Sequence, residues 1–237
     1  MRVSFGASAV AAAGLLLLAL AGPLYRAGVP LSGAFSVVQW SIYLSLAGAA
    51  VSLAAVFWAR RGNRRGAAAA ATAGVLLGLL TAAVGYGWLR QAQGAPQLHD
   101  VSTDLENPPL FRAAAAARPS GANPLSRTSG IEQLQRQHYP DITPITLAQP
   151  PRLVFDRARL VAENQGWTLV DSDADGGRLE ATDTTWWFGF TDDIVVRLTP
   201  WGSGTRVDVR SVSRYGETDT GTNARRIRRF LAALQEP

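Results

Sequence analysis

Seven residues near the carboxy-terminal end combine the side chains that recognise an anion. Arg197, Arg210 and Arg214 offer forked guanidinium donors, Asp208 and Asp219 offer carboxylates to orient them, and Thr222 and Asn223 offer polar groups where a helix should begin. A guanidinium grips carboxylate or phosphate through two parallel N–H···O bonds. A helix N-terminus adds N–H groups without helical partners and a positive dipole end. Gly221 would let a ligand approach the backbone. In the self-contained alternative, Asp219 pairs with Arg214 and fills the site from within. A hydrolytic set can also be assembled, with Asp100, Asp104 or His99 acting near Asp208 and Arg210. No nucleophile elbow, metal cluster or phosphate loop accompanies it, so no catalytic residue is assigned.

The elements that must position these groups follow from alternation. Ile194, Val196 and Leu198 share one face of a strand; Val195, Arg197 and Thr199 share the other. Val207 and Val209 alternate with Arg206, Asp208 and Arg210 in the next. Trp201-Gly202-Ser203-Gly204 supplies a tight turn. A turn centred on Gly202-Ser203 sets Arg197 opposite Asp208 and Val195 opposite Arg210. The charged face is then either a solvated surface or the floor of a cleft. Asp192 and Asp193 are neighbours on a strand, point to opposite faces and do not form an acid/base dyad. A basic amphipathic helix from about Gly221 to Leu234 follows, with Ala224, Ile227, Leu231 and Leu234 inward and Arg225, Arg226 and Arg229 toward water. Thr220 or Thr222 is its expected cap.

Upstream, Pro151 opens a helix to about Gln165, with Leu153, Ala158, Leu160 and Val161 available for burial and Gly166 as its stop. Strands are expected at Trp167–Val170 and Arg178–Thr184. The Asp171–Gly177 connection matches the first half of a calcium loop, but Thr182 stands where the bidentate Glu belongs, so a plain hairpin loop is expected. Trp186-Trp187-Phe188 is read as core lining, or alternatively as a ligand platform.

Composition sets outer limits. Hydrophobic residues make up 47% of the 237 and charged residues 17%, and the apolar excess lies before Arg90. There are no cysteines and two histidines, so no disulfide, zinc site or other cofactor is expected. The net charge of +5 comes from arginine alone, split between one short loop and one helix, which argues against nucleic acid. Ala7–Leu24, Val37–Ala59 and Ala67–Leu89 are each long enough to cross a bilayer. Arg60-Arg61-Gly62-Asn63-Arg64-Arg65 places four positive charges in six positions, and by the positive-inside rule that loop is cytoplasmic. Everything after Trp88 then lies outside. A cleaved signal peptide over residues 1–21 is the competing reading and gives the same orientation. No ionisable residue lies in the middle of a span, so the spans read as an anchor. Gly66, Ala70, Gly74, Gly78 and Ala82 form a small-residue row suited to packing within the three helices or to contact with another membrane protein.

The segment from Gln91 to Pro150 is polar and proline-rich, draped over a domain rather than free, with one or two helical turns at Phe111–Ala117.

His99-Asp100-Val101-Ser102-Thr103-Asp104, Glu106-Asn107-Pro108-Pro109, Tyr139-Pro140-Asp141-Ile142, Asp192 through Arg197, Arg210 through Arg214 and Asp219 through Ala224 together resemble the uncharacterised family known as domain of unknown function 1499. The resemblance spans about residues 97–235. It implies a bacterial envelope protein and supplies no catalytic residues. The expected architecture is α+β, with three transmembrane helices over residues 1–90, an extended segment over 91–141 and a domain over 142–237. That domain runs strand, helix, four antiparallel strands, helix, a layout like TATA-binding-like and helix-grip folds. The expected function is that of a multi-pass inner-membrane protein with a periplasmic module binding a small anionic ligand. The alternatives are an envelope hydrolase and a structural partner of another membrane protein.

Overall fold

The computed structural model describes residues 2–218 and 220–236. The chain forms two compact units, one reaching to Gly94 and including Trp186–Gly189, the other running from Ala95 to Thr185 and from Phe190 onward. In the first, α1 (Arg2–Arg26), α2 (Leu31–Arg61) and α3 (Arg65–Gly94) are three helices long and apolar enough to cross a membrane. They overrun the hydropathy-based spans by several residues, because helix continues until Gly28-Val29-Pro30 and Gly62-Asn63 interrupt it. Small residues let the backbones approach. A Cβ at Gly48 would come within 2.6 Å of the Ala11 nitrogen, and one at Gly78 within 2.5 Å of the Ser45 carbonyl oxygen. Gly74 lies against Ser52, so Gly74 and Gly78 of the small-residue row of α3 are used inside the bundle, while Gly66 at its start is exposed and meets nothing.

The second unit is α+β. Its elements are β1 (Asp100–Ser102), α4 (Ala113–Ala116), α5 (Ile131–His138), β2 (Ile145–Leu147), α6 (Pro151–Asn164), β3 (Thr168–Asp173), β4 (Arg178–Thr184), β5 (Thr191–Trp201), β6 (Gly204–Ser213) and α7 (Thr222–Gln235). All strands are antiparallel, in the order β1-β6-β5-β4-β3, with β2 also on β6. Strands β1 and β2 follow one another along a single edge of β6, facing residues 210–212 and 205–207. The β5–β6 turn is Gly202-Ser203, with Gly202 at φ +58, and the register sets Arg197 opposite Asp208 and Val195 opposite Arg210. The connection after β3 is a hairpin loop in which Asp173 Oδ1 accepts the Gly176 N–H.

One face of the sheet carries Leu179, Ala181, Ile194, Val196, Leu198, Val207 and Val209 into a core shared with α6 and α7. Helix α6 buries Val154, Phe155, Ala158 and Ala162, while Leu153 and Leu160 are exposed, contrary to the sequence expectation. Positions 154, 155, 158 and 162 lie on one helical stripe and 153 and 160 on another; the larger aromatic at 155 decides which turns inward. Helix α7 buries its expected stripe together with Phe230, whose ring stacks on Trp167 at 4.9 Å. Helix α5 was not legible in the sequence, having only Ile131 and Leu134 as apolar residues among eight.

The two faces of α6 separate in a stability measurement. Phe155→Ala should cost about 3–5 kcal/mol in denaturant unfolding of this unit, and Leu153→Ala less than about 0.5 kcal/mol. Equal losses would contradict the observed orientation.

Candidate functional site

The face of the sheet turned away from α6 and α7 is charged and also buried. Asp193, Val195, Asp208, Arg210 and Val212 are all at most 1% exposed. Alternation puts them there, and residues 103–130 cover them. The covering segment is pinned at several points. Glu180 accepts the backbone N–H groups of Arg112 and Ala114, both at 2.8 Å. Arg210 donates to the carbonyls of Pro109 (3.2 Å) and Leu125 (2.6 Å), and its guanidinium carbon lies 5.4 Å from the centre of the Phe111 ring. At the free side of β1, Gln135 from α5 accepts the Ser102 N–H and donates to the Ser102 carbonyl, much as another strand would.

Beneath this cover the register builds a charge cluster around Val212. Asp100 on β1 and Asp193 on β5 both face Val212, one from each side, which sets their strands about 10 Å apart. Each carboxylate serves two guanidiniums. Arg210 meets Asp100 in a bidentate fork, at 3.0 and 2.8 Å, and Arg127 stands 3.6 Å from the same group. Arg214 forks onto Asp193 at 3.1 and 2.8 Å, and Arg118 pairs with that carboxylate too. Side-chain exposure is 7% for Arg118, 9% for Arg127, 2% for Arg210 and 16% for Arg214. These ion pairs, taken among the described residues, set four positive charges against two negative ones. The guanidinium of Arg127 shows the shortfall: its Nε and Nη1 are buried without a hydrogen-bond partner.

The electrostatics follow. Burial pushes Arg127 below the ordinary arginine range; Asp100 and, more weakly, Glu132 oppose that shift and Arg210 adds to it. Burial likewise lowers Arg118, although it shares Asp193 with Arg214, whose hydrogen bonds to that carboxylate raise it. Depth decides between the two. His99, beside the cluster, is lowered chiefly by burial and by Arg118 and Arg210, against the pull of Asp100 and Glu217.

A second cluster closes on itself. Arg197 Nη2 lies 3.0 Å from both Asp104 and Asp208, and Arg206 Nη2 is also 3.0 Å from each. Two carboxylates meet two guanidiniums, leaving no excess. Burial pushes the Asp104 carboxyl up, but the Asn107 N–H, Arg206, Arg197 and the Glu106 N–H outweigh it and hold the group below the usual range.

The residues expected from sequence to form one site are therefore divided. Arg210 and Arg214 sit in the buried cluster, and Arg197 and Asp208 in the closed one. Asn223 lies on the opposite face, fully buried, accepting from Ser211 (2.6 Å) and Arg226 (2.8 Å) and donating to Ser213 and the His99 carbonyl. Thr222 accepts from Arg225 at 3.1 Å, and the N-cap position is Gly221 rather than Thr220 or Thr222. Asp219 lies outside the described residues. Of the hydrolytic set, Asp100 is held by Arg210 and Asp104 by Arg197 and Arg206, in separate clusters.

Arg226 corrects the sequence reading. It is 1% exposed, with Asp192 at 2.7 Å and Asp183 at 2.8 Å. Asn223, Arg226, Ile227, Phe230 and Leu234 share the inward stripe of α7, and Asp192, facing that side of β5, supplies the counter-charge. Arg118 and Arg127 were not singled out from sequence. Their only signal was arginine within a proline-rich stretch whose placement no periodicity reveals.

Two measurements check the closed cluster. A double-mutant cycle over Arg197→Ala and Asp208→Ala should give a coupling of about 0.5–3 kcal/mol, whereas additive losses would refute the pairing. Because the Asp104 carboxyl is held low, its contribution is present above the ordinary aspartate range and is lost as pH falls through its folded value. Asp104→Asn should flatten the acid limb of the stability profile, and an unchanged limb would contradict the assignment.

No curated protein matches the chain. Residues 100–234 match a family model described as a protein of unknown function (DUF1499), from β1 to the end of α7 and over more than half of the sequence. The chain belongs to the DUF1499 family.

Proposed function

We propose that this protein is a binding module anchored in the bacterial inner membrane, with its α+β unit in the periplasm and a small anion, phosphate or carboxylate in class, held beneath residues 103–130. One observation carries the reading: among the described residues, one buried and three partly buried guanidiniums share two carboxylates, and one of them, Arg127, keeps its Nε and Nη1 buried without a hydrogen-bond partner. Leaving a buried donor unmade forfeits about 1–3 kcal/mol, more for a charged group, and an uncompensated buried charge is costlier still. An anion of one or two charges would supply both the missing acceptors and the missing charge. Orientation rests on Arg60, Arg61, Arg64 and Arg65 between α2 and α3, which hold that loop in the cytoplasm. The hydrolytic alternative is weaker, because Asp100 and Asp104 are each tied to arginine and neither is placed as a free base.

Thermal melting of the full-length chain in detergent, with and without inorganic phosphate, tests the site. Phosphate should raise the melting temperature of the native chain by mass action. Arg127→Gln should abolish that rise and increase stability in its absence, since it removes a charge held against Arg210. A chain that phosphate and simple carboxylates leave unmoved would overturn the reading. So would a response confined to Asp219→Asn, because the chain's own carboxylate would then be the occupant. For the topology, a reporter active only outside the cytoplasm should work when fused after Pro237 and be silent at Asn63; the reverse pattern would place the module in the cytoplasm.

A further inference from the structure

The four residues Trp186-Trp187-Phe188-Gly189 lie between β4 and β5 in sequence yet belong to the unit of the three apolar helices. The turn is closed at its base by the Thr185 N–H to the Phe190 carbonyl (2.8 Å) and by the Phe190 N–H to the Thr185 hydroxyl (2.9 Å). Phe188 is buried among Tyr25, Phe35 and Trp88, stacking on Trp88 at 4.9 Å with the rings 6° from parallel. Trp187 packs edge-on against Trp88 at 5.2 Å, and its indole N–H reaches the Ala19 carbonyl at 3.4 Å. Tyr25 ends α1, Phe35 begins α2 and Trp88 lies in the last two turns of α3, so all three mark the bundle end opposite the Arg60–Arg65 loop. Trp186 is the exception: 89% exposed, it is the most exposed large apolar side chain of the described residues.

We propose that Trp186–Gly189 is a membrane-interface element, with the Trp186 indole lying among phospholipid headgroups and upper acyl chains at this end of the bundle. Three features select lipid as the occupant. An indole pairs a broad apolar body with one N–H and partitions to that boundary. The bundle end already carries Tyr25, Trp88 and Tyr86 as an aromatic girdle, with Arg26 and Arg90 in the final turns of α1 and α3 to meet lipid phosphate. The aliphatic stem of Arg26 runs alongside Gly189, since a Cβ there would come within 3.2 Å of its Cγ and Cδ. The boundary, rather than the hydrocarbon interior, also suits a non-helical turn, whose backbone polar groups water and headgroups can satisfy. This inference rests on the helices being membrane spans and is independent of the anion site.

The chain contains no cysteine, so a single introduced thiol can be labelled without removing others. A nitroxide at Trp186→Cys in the full-length protein, reconstituted at high lipid-to-protein ratio in phosphatidylethanolamine and phosphatidylglycerol vesicles, reports depth through collisions with oxygen and with a water-soluble nickel chelate. The references are Asp175→Cys, at an exposed position in the β3–β4 loop, and Leu53→Cys, on the exposed surface of α2. The Trp186 site should meet nickel several-fold less often than the Asp175 site and more often than the Leu53 site, with oxygen collisions between the two. Equality with Asp175 would place it in water, and equality with Leu53 in the hydrocarbon. Shielding from both reagents would reveal a protein contact instead. Each of these three results would overturn the proposal.

Discussion

A strand sends alternate residues to opposite faces, and in β5 and β6 both faces are buried. Everything distinctive about the second unit follows from that constraint. An antiparallel sheet usually buries one face and solvates the other, and polar residues at every second position then need no partner. Here residues 103–130 cover the polar face, so Asp193, Arg197, Asp208 and Arg210 must each find a counter-charge inside the protein. The cover in turn is held by the charges it hides: Glu180 takes two of its backbone N–H groups, and Arg210 takes two of its carbonyls.

Such an arrangement is a poor source of stability. Withdrawing an ion from water costs several kcal/mol, and even a well-made buried pair often does no better than a hydrophobic substitute. The apolar core against α6 and α7 lies on the other face. What the charges confer is register. A one-residue slip of β6 against β5 would send Asp208 and Arg210 into the apolar core and Val207 and Val209 into the charged layer. The buried face therefore disfavours alternative pairings more than it deepens the native one. Arg226 plays a matching part on the helix side, where its contacts with Asp192, Asp183, Ser211 and Asn223 fix the start of α7 over the ends of β4, β5 and β6.

Much of this was legible in the sequence, and the illegible parts have physical reasons. The β5–β6 hairpin declared itself because alternation and a Gly-Ser turn are local signals, and they determine which residues face each other across the strands. The three long helices of the first unit are legible because each is a long apolar run of the kind a bilayer demands. The cover was not, because residues 103–130 obey no period: their positions are set by individual bonds to partners some 70–100 residues away in sequence, such as Arg112 to Glu180 and Pro109 to Arg210. Arg226 departs from its sequence expectation for a related reason. A basic residue on an amphipathic helix is normally at the surface, and only the sheet residue beneath it, Asp192, shows why this one is not. For the same reason the sequence groups Arg210, Arg214, Thr222 and Asn223 in one site, whereas the sheet separates Asn223 from the two arginines.

The two charged clusters on the covered face differ in one respect that bears on function. The cluster of Asp104, Asp208, Arg197 and Arg206 balances, and it is the more accessible of the two. The cluster around Val212 is deeper, and its ion pairs among the described residues set more guanidiniums than carboxylates against one another. If the arginines served only to fasten the cover, the balanced arrangement would be expected at the deeper position, where an unpaired charge costs most. The opposite distribution suits a site whose last partner comes from outside the chain. Arg118 and Arg127 both belong to the cover, whereas Arg210 lies on β6 and Arg214 directly follows it. An anion seated among them would neutralise the excess and clamp the cover to the sheet in the same step, coupling occupancy to the order of residues 103–130.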